Sequence, residues 1–414
     1  MFRRIKSLII NFVVLFLSIL ISCSILEISI RIFSNKPLVD KGYNHHKLLC
    51  EHDSLLGWRK IPDGKKNHVT YEYQTFESFN SKGIRGTEYS YSKSANEYRI
   101  LMLGDSFTEG YTVEFGDLFS EILKKKLKNN NIKYCEVINA GTGGYSTDQE
   151  FLFFLSEGKK YNPDLTILMF YYNDIWYNNQ SQYFDRGYKP LFKLKNDTLC
   201  LTNVPVPVAK INSEIYQNMN KSSILYRGIK QWFTRNSYLY NLIKIRVKNT
   251  ILLKKLAMRI GIIENHEIIP DEFKVWEKSH NSTIVTAWRI TEQLIIKLKE
   301  ETNKIGSKLI IFYVPVKASI YSDEWEATKK AYGILDESWD LEKIAVRLES
   351  ICKKNQIDFI NPTVMFKIKA AKLNKEGNRL YFIKDGHWNI EGHRFVGELL
   401  ADHIKINYLS QKSK

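Results

Sequence analysis

Short apolar runs of β-type composition alternate with segments of helical length through most of this 414-residue chain. The predicted strands are residues 99–103, 134–139, 165–171, 308–314 and 357–360, and the predicted helices are residues 118–128, 147–159, 282–305, 340–354 and 390–406. Strands that alternate with helices at this spacing form a parallel sheet that is covered on both faces. The pattern therefore predicts an α/β protein, a doubly wound three-layer α/β/α sandwich with a central parallel sheet.

The turn after the first predicted strand reads Gly104-Asp105-Ser106. A serine at such a turn presents its hydroxyl at the carboxyl edge of the sheet, where α/β proteins bind their ligands. Ser106 is therefore a candidate nucleophile. The alternative is a serine that only caps the following helix, which is the commoner use of this residue type at a turn.

Three later segments place further polar groups at the same edge of the sheet. Gly144 lies in a glycine-rich loop after the second strand, Asn173 ends the third strand, and Asp385 and His387 precede the C-terminal helix. Acyl transfer needs a nucleophile, a base, a group that orients the base, and donors for the oxyanion. Ser106, His387, Asp385, Gly144 and Asn173 supply these roles in that order.

With these motifs in order, the chain resembles the SGNH (GDSL) hydrolases from about residue 53 to residue 404, apart from an unmatched insert. The resemblance rests on the blocks Gly104-Asp105-Ser106, Gly143-Gly144-Tyr145, Asn173-Asp174 and Asp385-Gly386-His387. It implies a flavodoxin-like fold with Ser106 as nucleophile and His387 as general base. It also implies that the Ser106 N–H, the Gly144 N–H and the Asn173 side chain hold the oxyanion.

One block departs from the commonest form of the family. Many members carry Asp three residues before the histidine, where this chain has Lys384, and here Asp385 lies two residues before it. The shorter form is similar to membrane-associated and periplasmic relatives that O-acetylate or deacetylate surface polysaccharides, including alginate acetylation proteins. Asp105 is an alternative orienting carboxylate, and His393 an alternative base that falls at the start of the C-terminal helix. We expect His387 to be the base.

The N-terminus predicts a membrane anchor. Residues 8–26 are almost wholly apolar and the run continues past Glu27 to Phe33, which is long enough to span a bilayer as one helix. Arg3, Arg4 and Lys6 precede it, and the positive-inside rule keeps them in the cytoplasm. We predict a single-pass signal anchor in the cell membrane, with the catalytic part in the periplasm or at the cell surface. A lipoprotein signal ending at Cys23 is the main alternative, and no Ala-x-Ala site for a cleaved signal peptide is present.

The predicted domains are a membrane anchor (1–36), a lead-in that packs on the catalytic domain (37–97), the catalytic domain (98–175 and 276–414) and a basic, largely helical insert (176–275). The insert leaves the sheet at the edge that carries Asn173, so it is a candidate lid. Residues 221–259 hold ten Lys or Arg and no acidic residue, within a net charge of +16. Such a segment either contacts an anionic membrane or polymer, or forms a solvated helical face.

Other predictions concern ligands and partners. Asp105, Asp174, Trp176 and Tyr177 are candidates for contact with the substrate. The five cysteines show no metal-binding spacing, so we expect no metal and no cofactor, and a disulfide between two of them (50 and 200) stays open. No nucleic-acid motif is visible, and an exported domain would rarely meet nucleic acid.

Together these features predict an extracytoplasmic, membrane-anchored serine esterase or O-acyltransferase that forms an acyl-enzyme on Ser106. The expected substrate, from location and family, is an acylated cell-envelope glycan with an acetyl ester, or an acyl donor supplied by a membrane acyltransferase partner. The alternative from another class is a non-catalytic glycan-binding or scaffold protein of an envelope polysaccharide synthesis complex.

Overall fold

The computed structural model describes residues 2–33, 49–70, 72–128, 134–183, 186–196, 198–208, 232–233, 236–249 and 269–409. The chain divides into two compact units. One comprises Met1–Tyr43, Val69–Tyr71 and Lys210–His266, and the other comprises Asn44–His68, Glu72–Ala209 and Glu267–Lys414. The predicted insert is therefore shared between the two units. Most of the basic segment 221–259 lies outside the described residues.

Helices and strands alternate along much of the described chain. The helices are α1 (Phe2–Phe33), α2 (Ser106–Glu109), α3 (Phe119–Lys128), α4 (Thr147–Ser156), α5 (Asn173–Tyr177), α6 (Tyr238–Asn249), α7 (Ser282–Lys304), α8 (Lys317–Ile320), α9 (Ser322–Tyr332), α10 (Lys343–Lys354), α11 (Thr363–Lys375) and α12 (Ile390–Ile404). The strands are β1 (Cys50–Asp53), β2 (Gly57–Lys60), β3 (Lys65–Val69), β4 (Gln74–Ser78), β5 (Tyr98–Gly104), β6 (Cys135–Asn139), β7 (Leu165–Phe170), β8 (Gln182–Tyr183), β9 (Gly187–Tyr188), β10 (Leu191–Lys195), β11 (Thr198–Thr202), β12 (Lys308–Tyr313) and β13 (Asp358–Ile360).

A five-stranded parallel sheet forms the centre of the second unit, with the strand order β6-β5-β7-β12-β13. Met102 of β5 pairs with Asn139 of β6, and Gly104 of β5 pairs with Met169 of β7, so these three strands end at the same edge. The chain moves from β5 outward to β6 and then back to β7 on the other side. Doubly wound sheets bind their ligands at the carboxyl edge beside such a reversal.

Two apolar cores cover the two faces of this sheet. Along β5, Leu101 and Leu103 enter one core, while Ile100 and Met102 enter the other, because side chains alternate across a strand. Helices α4, α7 and α10 pack on the first face, and α3, α11 and α12 pack on the second. The predicted three-layer α/β/α sandwich is thus confirmed.

Several elements were not anticipated from the sequence. The lead-in forms the antiparallel pair β1–β2 and the two-stranded sheet β3–β4, and the first part of the insert forms the antiparallel pairs β8–β9 and β10–β11. These strands have two to five residues, and β3 reads Lys-Lys-Asn-His-Val, so neither length nor apolar alternation marks them.

In the first unit, the stretch Ile10–Phe33 of α1 is long and apolar enough to cross a membrane, and most of its apolar side chains are exposed. A signal sequence passes the same test, so the helix is weak evidence for an anchor. Glu27 breaks the apolar run, and its carboxylate accepts the backbone N–H groups of Tyr238 at 2.9 Å and Leu239 at 2.8 Å. This carboxylate therefore satisfies the free N–H groups that begin α6.

Candidate active site

Ser106 is the first residue of α2, directly beyond the end of β5. The preceding Asp105 caps the helix, because its carboxylate accepts the Phe107 N–H at 2.9 Å. A Cβ atom on Gly104 would lie 2.0 Å from Oγ1 of Thr108, so only glycine allows this close turn from strand to helix. The sequence thereby presents Ser106 at the carboxyl edge of the sheet.

His387 and Asp385 complete a hydrogen-bonded chain with Ser106. The Ser106 hydroxyl lies 2.8 Å from Nε2 of His387, and Nδ1 of His387 lies 2.5 Å from Oδ1 of Asp385. Gly386 between them has a φ of +85°, a conformation that glycine adopts without strain. This turn folds the Asp385 carboxylate back onto the imidazole, although only one residue separates the two.

Aromatic rings enclose the imidazole. Phe107 lies 4.6 Å and Tyr111 5.1 Å from the His387 ring, measured between centroids. The Tyr111 hydroxyl lies 3.2 Å from Nδ1 of His387 and 3.3 Å from Oδ2 of Asp385. The Tyr73 hydroxyl donates to the same Oδ2 at 2.8 Å. The carboxylate therefore has a partner on each oxygen and cannot rotate freely away from His387.

The ionisation of these groups follows from their surroundings. Burial lowers the pKa of His387, but the Asp385 charge and its hydrogen bond outweigh burial, and the net pKa lies above the ordinary value of 6.5. Burial opposes ionisation of Asp385, yet His387 and the Tyr73 hydroxyl bring its pKa well below the usual range. Burial raises the pKa of Asp105 to about 6. Asp385 is thus the anionic partner of a histidine that titrates above 6.5.

The glycine-rich loop after β6 lies directly beside Ser106. A Cβ atom on Gly143 would lie 3.8 Å from the Ser106 Cβ. The Gly143 N–H donates to Oε2 of Glu109 at 2.5 Å, and the other Glu109 oxygen accepts from Lys60 at 2.6 Å. Gly144 follows with a φ of +82°, which favours glycine. The buried pair of Lys60 and Glu109 therefore fixes this loop against α2.

Asn173 begins α5, three residues beyond the end of β7. Since β7 pairs with β5 as far as Met169 and Gly104, the structure brings Asn173 to the same edge as Ser106. Its Oδ1 atom is buried and accepts no hydrogen bond from the described residues. An amide with a buried, unsatisfied oxygen is uncommon in a purely structural position.

The four candidates for substrate contact have different surroundings. Asp105 caps α2, and Asp174 is 1% exposed and accepts from the Thr147 hydroxyl at 3.2 Å. Tyr177 is buried and donates to Glu272 at 2.7 Å, while Trp176 is half-buried. Their contact with a substrate stays a prediction.

The alternative base, His393, occupies a different environment. It is 1% exposed on α12, and its Nδ1 accepts the Phe119 N–H at 3.3 Å. Burial, aided by Arg85, lowers its pKa to about 3. The Ser106 hydroxyl bonds His387 and not His393, and the role of His387 as the base stays a prediction.

Five residues around this site were missed from the sequence: Lys60, Glu72, Tyr73, Glu109 and Tyr111. Glu109 stands three residues after Ser106, so helical spacing could have drawn attention to it. The other four carry no local signal, because three belong to the polar lead-in and Tyr111 follows the helix. All five cysteines are free, so Cys50 and Cys200 form no disulfide. No group of three metal-ligating side chains occurs within the described ranges.

Comparison with known protein families finds a match to part of the chain. The GDSL-like lipase/acylhydrolase family matches residues 102–222, which include Ser106, Gly144 and Asn173. A search of curated proteins finds no match.

Solved structures of three enzymes are similar to this chain at low identity. An acetyl xylan esterase is 14% identical with a TM-score of 0.39, over 74% of this chain and 99% of that chain. A lipase/acylhydrolase from Enterococcus faecalis is 12% identical with a TM-score of 0.35, over 74% and 95%. A GDSL-like lipase from Bacteroides thetaiotaomicron is 13% identical with a TM-score of 0.34, over 77% and 92%.

The family match covers the first three motif blocks, and Asp385 and His387 supply the fourth from beyond the matched residues. When the five strands of the central sheet are numbered along the chain, their order in the sheet is 2-1-3-4-5, which is the order of the predicted flavodoxin-like fold. Residues 102–222 of the unit that contains the central sheet thus match the GDSL-like lipase/acylhydrolase family.

Proposed function

We propose that this protein is a membrane-anchored esterase or O-acyltransferase that forms an acyl-enzyme on Ser106. The observation that carries the proposal is the chain of hydrogen bonds from Ser106 to His387 at 2.8 Å and from His387 to Asp385 at 2.5 Å. A serine hydroxyl needs such a base to become a nucleophile, and the base needs an orienting group.

In the first half-reaction, Oγ of Ser106 attacks the ester carbonyl carbon while its proton passes to Nε2 of His387. The negative charge that develops on the carbonyl oxygen meets the Ser106 N–H, the Gly144 N–H and the Asn173 amide. His387 then donates its proton to the leaving alkoxide as the C–O bond breaks, which leaves an acyl group on Ser106. Asp385 stabilises the imidazolium that exists between these two transfers.

In the second half-reaction, His387 takes a proton from an incoming hydroxyl as that hydroxyl attacks the acyl carbon. The tetrahedral intermediate collapses, and His387 returns the proton to Oγ of Ser106. Water as the acceptor gives hydrolysis, and a sugar hydroxyl gives acyl transfer. The same residues serve both outcomes, so the acceptor decides which activity is observed.

The proposed substrate is an acetyl ester of a cell-envelope glycan, or an acetyl donor supplied by a membrane acyltransferase. Its support is the apolar stretch Ile10–Phe33, which would hold the enzyme at the membrane with the sheet-bearing unit outside the cytoplasm. The half-buried Trp176 offers an aromatic surface close to Asn173 in the sequence. Location and family, rather than a bound ligand, thus select this substrate class.

The test compares the full chain in detergent with Ser106→Ala and His387→Ala, using a small acetyl ester and an O-acetylated polysaccharide. We expect acetate release by the wild type and loss of release in both variants. Adding a de-acetylated glycan should divert the acetyl group from water to the glycan if transfer is the activity. A folded wild type that releases no acetate and transfers none would contradict the proposal and favour a scaffold or glycan-binding role.

A further inference from the structure

Glu72 in the lead-in bonds the loop that carries the proposed orienting aspartate. One oxygen of its carboxylate accepts the N–H of Ile383 at 2.7 Å, and the other accepts the N–H of Asp385 at 2.8 Å. The N–H of Lys384 lies between them, 3.0 Å from one oxygen and 2.9 Å from the other. Three successive backbone donors thus converge on a single carboxylate, and charge-assisted bonds of this kind are stronger than neutral ones.

The next residue, Tyr73, bonds the side chain of the same aspartate. Its hydroxyl donates to Oδ2 of Asp385 at 2.8 Å, and its ring lies 5.0 Å from that of Phe382, measured between centroids. Oδ1 of Asp385 lies 2.5 Å from Nδ1 of His387 and also accepts the His387 backbone N–H at 3.3 Å. Adjacent residues of the lead-in therefore hold both the backbone and the side chain of Asp385.

The Asp385 loop has little apolar support. Ile383 is 66% exposed and Lys384 is exposed, so apolar packing contributes little to the position of this loop. Lys317 donates to the Ile383 carbonyl at 2.6 Å, but that bond leaves the N–H groups of residues 383–385 for Glu72. Segments with few buried apolar contacts open more readily than the core.

We propose that Glu72 and Tyr73 are positioning residues for catalysis, which hold Asp385 against His387 so that the lead-in forms part of the active centre. The inference rests on the proposed function, because it assigns a role to residues around the proposed Ser106–His387–Asp385 chain. Glu72 acts through the backbone of the loop and Tyr73 through the carboxylate itself. Both therefore influence Ser106 through Asp385 and His387.

The test measures the rate at which a fluorophosphonate probe labels the full chain in detergent, as a function of pH. Glu72→Gln places an NH₂ group against backbone N–H donors, and Tyr73→Phe keeps the ring while removing the hydroxyl. We expect each variant to label about 10–100-fold more slowly, as a displacement of about 1 Å at a reacting group can cause. Glu88→Gln is the matched control, since Glu88 also accepts an N–H in the lead-in, from Ser81 at 2.7 Å, far from Asp385 in the sequence.

A pH profile separates positioning from general stabilisation. The charged or titratable groups around His387 include Asp385, Asp105, Glu109, Tyr111 and His393, with Tyr73 on the far side of Asp385. Among these, Asp385 is the group whose charge raises the pKa of His387 most. Glu72 bonds its backbone and Tyr73 its carboxylate. If Glu72→Gln moves Asp385 away from His387, the pKa of His387 falls. The acidic limb of the labelling profile then shifts to lower pH.

The outcomes distinguish this inference from the proposed function. Slower labelling with a shifted limb in Glu72→Gln or Tyr73→Phe, and a normal profile in Glu88→Gln, supports the positioning role. Wild-type rates and an unshifted limb in both variants overturn the inference alone. A folded wild type without labelling at Ser106 overturns the proposed function and the inference with it.

Discussion

Glu109 joins α2, which begins with Ser106, to the glycine-rich loop, because its carboxylate accepts the Gly143 N–H at 2.5 Å. Lys60, in the lead-in, forms an ion pair with the same carboxylate, with its Nζ 2.6 Å from Oε1 of Glu109. Both side chains are completely buried. The Gly144 N–H, which is proposed to hold the oxyanion, therefore lies on a loop that is held in place before any substrate arrives. Preorganised donors of this kind need no rearrangement when charge develops in the transition state.

Removing the cation of this pair should destabilise the fold. In Lys60→Met the Glu109 charge stays buried without its partner, which costs about 3–5 kcal/mol in comparable pairs. The denaturant midpoint should fall accordingly, and Glu109→Gln added to Lys60→Met should restore part of it. Lys297→Met is the control, because its pair with Glu300 is exposed and worth less than about 1 kcal/mol. Equal midpoints for the two single variants would contradict the assigned importance of the buried pair.

The acidic limb of activity should belong to His387. A general base must be neutral, so the labelling rate rises with pH through the pKa of His387, which lies above 6.5. In Asp385→Asn the carboxylate charge is lost and burial then lowers that pKa, so the limb moves to lower pH while the plateau rate falls.

The measurement is the fluorophosphonate labelling rate between pH 5 and 9 for the wild type and Asp385→Asn. Asp105, whose pKa is raised to about 6, is the competing source of a limb. If the acidic limb of Asp385→Asn lies at the same pH as that of the wild type, the limb belongs to Asp105. That result would contradict its assignment to His387.

His393 should affect stability at acid pH and leave labelling largely intact. Its folded pKa of about 3 lies below the unfolded value, so the unfolded chain binds a proton first as pH falls below about 6.5. Because the pKa of His393 is lower in the folded state than in the unfolded state, each pH unit of acidification removes up to about 1.4 kcal/mol of the free energy of unfolding. This loss continues until the pH approaches the folded pKa. His393→Asn should therefore lose less stability than the wild type between pH 7 and pH 5. Loss of labelling in a folded His393→Asn protein would instead support His393 as the base.

Asn173 should lower the barrier without strengthening ground-state binding. Asn173→Ala removes one proposed oxyanion donor, and the loss of such a donor costs about 10²–10³ in kcat. KM for a small acetyl ester should change little. Asn179→Ala is the control, because its amide donates to the Thr283 carbonyl at 3.4 Å and is proposed to have no catalytic part. Equal kcat values for the two variants would remove Asn173 from the mechanism.

The central sheet could be predicted because its signals are local. Residues 99–103 read as a largely apolar strand that is followed by Gly104, and the structure has β5 as Tyr98–Gly104. The helix predicted at residues 282–305 is α7, Ser282–Lys304, which Asn281 caps through the Ile284 N–H. Periodicity and capping fix such elements without help from the rest of the chain.

The support around the site could not be predicted, because it depends on contacts between distant parts of the chain. Tyr73 and Asp385 are 312 positions apart, and Lys60 and Glu109 are 49 apart. The strands β1 to β4 of the lead-in have largely polar sequences. Their positions therefore depend on the residues against which they pack. The sequence places Asp385 only two residues before His387, and the backbone turn at Gly386 aligns its carboxylate with Nδ1 of His387.

The most direct test of Ser106 as the nucleophile is peptide mapping by mass spectrometry after the full chain has reacted with a fluorophosphonate. We expect one adduct, on the peptide that contains Ser106, and its loss in His387→Ala while the thermal unfolding temperature stays near that of the wild type. An adduct on a different residue, or a folded wild type that carries none, would contradict the assignment of Ser106 as an activated nucleophile.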